Sequence, residues 1–139
     1  VVALGVALLR SAPVEAQRRF TTTHRCSAEQ QARGCLVVLG SGVPVPDPTR
    51  MGPAYAVVYG DRTFLFDAGA GVMRRAAEAG LAIDGFTHVF LTHLHTDHTL
   101  GLPDVIFTSW VMGRRHAMSL TGPPGTGRLV EHLQAAWSE

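Results

Sequence analysis

Four side chains of the kinds that commonly bind metal ions lie within six positions of one another, directly after the apolar run FTHVFL. They are His93, His95, Asp97 and His98, in the pattern HxHxDH. Imidazole and carboxylate groups are the ligands that zinc and similar divalent ions take where thiolates are absent. At the His and Asp frequencies of this chain, the pattern arises by chance in fewer than about one sequence in a thousand. The spacing therefore predicts a metal site.

The spacing also indicates how the four ligands divide between ions. Side chains two residues apart in an extended segment point the same way, so His93 and His95 can share one ion. Where the chain turns into a helix, Asp97 and His98 point elsewhere and can reach a second ion a few ångströms away, as in two-metal hydrolases. The alternatives are a histidine-rich surface turn and a helix start with Asp97 as its N-cap.

A second motif, GPPGTG at residues 122–127, has the glycine spacing of a phosphate-binding loop. Such loops continue with Lys and then Ser or Thr, which contact phosphate and magnesium. This chain has Arg128 and Leu129 there, and it contains no Lys at all. We therefore expect no nucleotide at this loop. The histidines outside the HxHxDH pattern are expected to be ordinary structural or surface residues: His24, His88, His116 and His132.

Short apolar runs and turn residues place the candidate ligands in an α/β fold. The runs expected to be strands are 35–40, 55–59, 63–66, 86–91 and 117–120, with a tight turn between the second and third. Helices are predicted over 70–79, from about 103 to 113 and from about 126 to 137. Three strands followed by alternating helices and strands favour one sheet with helices on one face. A second sheet or a second subunit must cover the other face, so a homodimer is one expected assembly.

The N-terminal part of the chain has the pattern of an exported protein. An apolar run over residues 1–9, too short to span a membrane stably, precedes small residues up to Ala16 and is typical of a signal peptide. We therefore expect a signal peptide over 1–16, a polar linker over 17–34, and a periplasmic or extracellular location. A buried helix or the end of a membrane anchor is the alternative. Cys26 and Cys35 lack the spacing of a thiolate zinc site, and they are either a disulfide or two separate buried thiols.

The motif HLHTDH after an apolar strand resembles the metal motif of the metallo-β-lactamase fold superfamily. Within it, LGSGVPVPDPTRMGPAYAVVYGDRTFLFDAGAGVMRRAAEAG and FLTHLHTDHTLGLPDVI are similar to the ribonuclease Z and arylsulfatase-like branch, over about residues 35–125. The resemblance implies an αββα sandwich, of which residues 35–139 form the N-terminal sheet half.

The same resemblance implies the roles of individual residues. His93 and His95 would bind one zinc or other divalent ion and Asp97 and His98 a second, with Asp97 also accepting a proton. Asp67 matches a position that supports the metal ligands without binding metal itself, and its alternative role is to cap a turn. The family's further His, bridging Asp and last His are expected downstream of this chain, so half a site is not expected to be active by itself.

With a complete site, a metal-bound hydroxide would attack an ester, phosphodiester or sulfate ester. The composition is that of one globular unit, with 139 residues, 46% hydrophobic residues, 17% charged residues and a net charge of +1. These values exclude a disordered chain and a strongly basic nucleic-acid binder. Together with the expected export signal, they favour a small ester-type substrate over RNA. The alternatives are a tRNA 3′-processing endoribonuclease and a non-catalytic metal-binding fragment.

Overall fold

A five-stranded mixed sheet lies at the centre of residues 25–138, the part of the chain that this computed structural model describes. The strands follow one another across the sheet in chain order, and they are β1 (Cys35–Gly40), β2 (Ala54–Tyr59), β3 (Arg62–Phe66), β4 (Phe86–Phe90) and β5 (Ser119–Thr121). The first three pair antiparallel, whereas β3, β4 and β5 are parallel to one another. Because parallel strands end at the same edge of a sheet, the segments that follow β3, β4 and β5 come together there.

In the described part of the chain, five helices accompany this sheet: α1 (Ala28–Arg33), α2 (Val72–Glu78), α3 (Thr96–Thr99), α4 (Leu102–Val111) and α5 (Thr126–Ala136), with a 3₁₀ turn over Ile83–Gly85 before β4. The strands and helices predicted from the sequence are all present, with ends shifted by no more than two residues. The helices α1 and α3 were not among the predictions. In residues 25–138, no helix has both the length and the apolar character needed to cross a bilayer.

One face of the sheet is buried under helices. Along β1, Val37 and Leu39 are buried while their neighbours Leu36 and Val38 point to the other side and are exposed. Side chains from α2 and α4 join the buried face in one cluster, whose largest members include Leu65, Val72, Phe86, Val89, Leu102 and Val105. Burying a side chain of this size stabilises the fold by about 1.5–3 kcal/mol. This cluster holds in place the strands whose ends carry the candidate ligands.

The opposite face of the sheet is apolar but open. Leu36 is 65% exposed and Val38 is 54% exposed. On the same face, beyond β2, lie partly buried aromatic side chains of β3 and β4, among which Phe66 stacks on Phe90 with ring centroids 5.0 Å apart. Apolar residues of this kind on both faces are expected of a sheet that packs between two layers.

The segment before β1 contains the helix α1, although its composition indicates a linker. Ser27 and Gln30 form a reciprocal cap, in which the Ser27 N–H donates to Gln30 Oε1 at 2.8 Å and the Gln30 N–H donates to Ser27 Oγ at 3.2 Å. The Cys26–Cys35 disulfide joins the two ends of this short segment, which answers the question that the sequence leaves open. Six residues are too few to show a helical period, and the Ser-x-x-Gln spacing is the signal that could have found α1.

Candidate metal centre

The predicted ligands lie on the segment that follows β4, which we call the metal loop (residues 92–98). Its first part has no regular structure, and its last three residues belong to α3. His95 is the N-cap residue of α3, and Asp97 and His98 lie within its single turn. The alternative in which Asp97 caps a helix is therefore wrong, because the helix begins one residue before it.

The structure brings the three histidine rings of the metal loop together. The ring centroid of His93 lies 4.5 Å from that of His95 and 4.0 Å from that of His98. Asp97 Oδ2 lies 3.6 Å from His98 Nε2. His95 is exposed, whereas His93, Asp97 and His98 are partly buried. All four predicted ligands thus share one corner of the molecule, at the edge where the parallel strands end.

A buried carboxylate, Asp67, anchors the metal loop from the end of β3. Its Oδ1 accepts the Thr92 N–H at 2.8 Å, and its Oδ2 lies 2.8 Å from His98 Nδ1. The Thr92 hydroxyl lies within 3.0 Å of both carboxylate oxygens and 2.9 Å from His93 Nδ1. Since the Nδ1 atoms of His93 and His98 are engaged in this way, their Nε2 atoms remain for a metal ion.

The backbone around Asp67 is shaped to bring these groups close. Asp67 has a φ of 59°, a left-handed conformation that few residues other than Gly adopt and that clusters at functional sites. Its N–H donates to Phe90 O at 2.8 Å, and the Ala68 N–H donates to His98 O at 2.8 Å. A Cβ on Gly69 would lie 2.7 Å from the carbonyl oxygen of Asp97, so only glycine allows this approach. The segment after β3 therefore packs directly against the metal loop.

A cleft of about 520 Å³ opens beside Asp97. The segment between β1 and β2 forms most of its wall, and Ala70, Thr96, Asp97 and Leu100 form the rest. Arg50 brings a positive charge to the cleft, with its Nε 3.6 Å from Asp47 Oδ2.

The cleft also carries a fixed negative charge on Asp47. Hydrogen bonds from the Thr49 hydroxyl, at 2.6 Å, and the Thr49 N–H, at 2.8 Å, lower the pKa of the Asp47 carboxyl. The sequence predicts only a loop here. A single Arg among the Pro, Gly and Val residues of SGVPVPDPTRMGP is the one signal that could have marked this loop as part of a site.

The donor set fits a metal ion in part. Two ligands bound at about 2.1 Å with tetrahedral geometry lie about 3.4 Å apart, close to the separation of Asp97 Oδ2 and His98 Nε2. Within residues 25–138, no three His, Cys, Asp or Glu side chains converge as a ready-made coordination sphere. A catalytic zinc usually takes three protein ligands, so the two predicted pairs each supply part of a site. That further ligands come from a longer chain stays a prediction.

The other sequence motifs lie outside the ligand cluster. His88 is in β4, with its ring 5.4 Å from Phe64, while His116 and His132 are exposed. His24 lies outside the described residues. The GPPGTG motif, which we call the glycine loop (residues 122–127), leads from β5 into α5, and the Thr126 hydroxyl donates to Pro123 O at 2.8 Å. That it binds no nucleotide stays a prediction.

Comparison with known proteins shows the same family as the motif. Residues 47–132 match the model of the metallo-beta-lactamase superfamily. The Ribonuclease Z of Mycobacterium bovis (strain BCG / Pasteur 1173P2) is 46% identical over 99 residues, which are 69% of this chain and 35% of that protein. The crystal structure of human tRNase Z, short form, is 29% identical with a TM-score of 0.67, covering 73% of this chain and 38% of that one.

A further solved structure is similar to this chain in fold only. The metallo-beta-lactamase fold protein YhfI of Bacillus subtilis is 19% identical, with a TM-score of 0.62, over 71% of this chain and 40% of that one. The chain spans about a third of the length of the curated relatives it matches. This partial coverage agrees with the open apolar face of the sheet. The chain therefore holds one sheet layer of an αββα sandwich, as the sequence predicts.

These relatives correct two expectations drawn from the sequence. The preference for a small ester-type substrate over RNA is wrong, because the similar proteins are named as a ribonuclease and a tRNase. A net charge of +1 carries little weight against RNA, since it describes a chain that spans only about a third of those proteins.

The expectation of a signal peptide and a periplasmic enzyme is contradicted by the same relatives. Enzymes named for RNA and tRNA act on molecules that are made inside the cell. Residues 1–16, for which the signal peptide was predicted, lie outside the described residues.

The motif, the fold and the family match all indicate the same superfamily. The metal loop follows a parallel strand, a buried carboxylate supports it, and the matched region contains all four predicted ligands. The chain belongs to the metallo-beta-lactamase superfamily, and its similarity is to the ribonuclease Z branch.

Proposed function

We propose that this chain is part of a metal-dependent endoribonuclease that processes the 3′ end of tRNA precursors. The observation that carries the proposal is the cluster of four donor side chains at the end of β4, in a chain 46% identical to a Ribonuclease Z over 99 residues. The fold alone supports hydrolysis of many ester-type bonds. The ribonuclease Z similarity is what favours RNA among them.

In this proposal His93 and His95 hold one divalent ion, and Asp97 and His98 hold the other, with zinc as the expected metal. When bound, such ions supply the Lewis acidity that makes water a nucleophile near neutral pH and stabilises charge on a phosphodiester. Asp97 also lines the cleft, where its carboxylate can accept the proton of the attacking water. No Ser or Cys nucleophile is required.

The cleft offers groups that suit an RNA end. The exposed guanidinium of Arg50 is a good partner for a phosphate, because its planar donors match phosphate oxygens. Val43 and Val45 on the same wall are 63% and 70% exposed, and Leu100 opposite is 66% exposed, so they provide apolar surface against which bases can pack. Arg50 and Asp97 line the same cleft, which supports placing a phosphodiester between them.

The test is cleavage of a tRNA precursor with a 3′ trailer by the purified protein, with this chain in its full-length context. We expect cleavage that a chelator abolishes and that zinc restores. The double variant His95→Ala with Asp97→Ala removes one ligand from each pair, so both metal binding and cleavage should fall by at least about 100-fold.

The matched control is His116→Ala with His132→Ala, which removes two exposed side chains outside the ligand cluster. This variant should retain metal content and activity. Cleavage that persists in chelator, or undiminished metal content in the ligand variant, would contradict the proposal. Metal binding without RNA cleavage would favour the non-catalytic alternative instead.

A further inference from the structure

We infer that Thr92 is a positioning residue. Its hydroxyl donates to Asp67 and accepts the Nδ1–H of His93, which leaves the Nε2 lone pair of His93 free for a metal ion. Thr92 lies directly before the first predicted ligand and is not itself a ligand in the proposed site. The role rests on the proposed function in one respect, namely that His93 binds a metal. The tautomer that it sets is a property of the metal-free protein.

The argument begins with the number of protons on the Thr92 hydroxyl. Thr92 Oγ1 lies 3.0 and 2.9 Å from the two oxygens of Asp67, and 2.9 Å from Nδ1 of His93. A hydroxyl carries one proton, so it donates once, although it can accept twice. Asp67 also accepts the Thr92 N–H, and a carboxylate surrounded by donors acts only as an acceptor. The hydroxyl proton is therefore directed to Asp67.

The tautomer of His93 follows from that direction. With its proton given to Asp67, the Thr92 hydroxyl can only accept from His93, so the proton of the neutral ring lies on Nδ1. The lone pair is then on Nε2. In water a neutral histidine side chain favours the opposite form, with the proton on Nε2. Thr92 thus opposes the intrinsic preference of the ring and holds it in the form that a metal at Nε2 requires.

Asp67 also fixes the tautomer of His98, by direct contact, with the proton on Nδ1. His98 Nδ1 lies 2.8 Å from Asp67 Oδ2, so Nδ1 carries the proton and Nε2, which faces Asp97 Oδ2 at 3.6 Å, carries the lone pair. One buried carboxylate therefore sets two rings, His98 by contact and His93 through Thr92. Because these two histidines are assigned to different ions, a single group prepares both halves of the proposed site.

His95 provides an internal reference. Its ring is exposed, and within residues 25–138 its side chain makes no hydrogen bond. No hydrogen bond within residues 25–138 fixes its tautomer, so it should show the mixture that a free histidine shows in water. A change that acts through Thr92 should move His93 and leave His95 as it was.

The variants follow from the two contacts that Thr92 makes. The Thr92 N–H bond to Asp67 is made by the backbone, so it persists when the side chain changes. Thr92→Val keeps the branched shape and removes the hydroxyl. Thr92→Ser keeps the hydroxyl and removes only the methyl group. The pair therefore separates the hydrogen bond from packing.

The experiment is long-range ¹H–¹⁵N NMR of the histidine rings in the metal-free protein, near pH 8.5, about two units above the usual histidine pKa. We expect His93 and His98 with the proton on Nδ1 in the unmodified protein. In Thr92→Val, His93 should move toward the Nε2–H form, while His98 and His95 stay unchanged. Thr92→Ser should restore the pattern of the unmodified protein.

Zinc affinity, measured by competition with a coloured chelator, is the second measurement. It should fall about 10- to 100-fold in Thr92→Val and stay near the original value in Thr92→Ser. His93 with its proton on Nε2 in the unmodified protein would overturn the inference without any variant, as would an unmoved His93 in folded Thr92→Val. If the tautomers behave as expected but tRNA precursors are not cleaved, the proposed function fails and the role of Thr92 stands.

Discussion

The metal loop and the glycine loop follow neighbouring parallel strands at the same edge of the sheet, and both carry a motif with a known chemical use. They are held in different ways. Side chains hold the metal loop, since Asp67 bonds to Thr92 and His98 across more than twenty residues of sequence. The glycine loop is held locally, by the bond from the Thr126 hydroxyl to Pro123 O. Of the two loops, only the metal loop is anchored by a buried carboxylate from another strand end.

The two loops also lie in contact, at Gly125 of the glycine loop. The Leu91 N–H donates to Thr121 O at 2.8 Å, so the two loops begin side by side. A Cβ on Gly125 would lie 3.2 Å from Leu94 Cδ1, in the middle of the metal loop. Leu94 stands between two of the proposed ligands. The glycine loop therefore packs closely against the metal loop, and Gly125 leaves the space that Leu94 occupies.

Among the substitutions that test this comparison, Asp67→Asn is expected to lower zinc affinity the most, because it removes the negative charge of the carboxylate that anchors the metal loop. Asn keeps the size of the side chain and tolerates the positive φ at this position, so the backbone can stay in place. Its amide group would face donors where the carboxylate accepts them. Zinc affinity should fall about 10- to 100-fold, and the free energy of unfolding should fall by about 1–3 kcal/mol.

Zinc titration and denaturant unfolding measure these two quantities. Asp61→Asn, in the exposed turn between β2 and β3, is the matched control and should change neither. If Asp67→Asn bound zinc as tightly as the original protein, the anchor would be purely structural, and the contrast between the two loops would lose its main support.

The same contrast explains what the sequence could and could not predict about the site. His93, His95, Asp97 and His98 are recognisable because their types and spacing are local. Asp67 lies 25 residues before Thr92 and no local pattern links the two, so only the family resemblance could name it. The cleft beside Asp97 was missed because composition predicts a loop without saying what the loop packs against. The bond from the Gly52 N–H to Ala70 O places it, and that pairing is tertiary.

The fold shows a similar division between long and short elements. The strands and the helices α2, α4 and α5 were predictable, because an apolar pattern extends through each of them and Gly or Pro residues mark their ends. The helices α1 and α3 have six and four residues, too few for a periodic pattern to appear. Each depends instead on its surroundings: α1 on its cap and the disulfide, and α3 on the bond from the Thr99 hydroxyl to His95 O at 3.1 Å.

Gly122→Ala, in the glycine loop, is expected to change zinc affinity less than Asp67→Asn does. The added Cβ would lie 2.5 Å from the Thr126 hydroxyl and 3.1 Å from Leu91 Cβ, so the loop must shift or lose its hydroxyl bond. Overpacking of this kind costs about 1–3 kcal/mol of unfolding free energy. Zinc affinity should change less than in Asp67→Asn, because no ligand contact is removed. A loss of zinc binding equal to that of Asp67→Asn would show that the glycine loop does more than support its neighbour.

Gly127→Ala, at the other end of the same motif, is expected to change the free energy of unfolding the least of the three substitutions. Gly127 lies in the first turn of α5, and a Cβ there would meet nothing within 4 Å. Alanine fits a helix better than glycine, because it leaves the unfolded chain fewer conformations to lose, so the free energy of unfolding should rise by about 0.4–1 kcal/mol. The measurement is denaturant unfolding beside Gly122→Ala. The crowded Gly122 and the open Gly127 should therefore respond in opposite directions, and a loss of stability in Gly127→Ala would contradict this steric explanation.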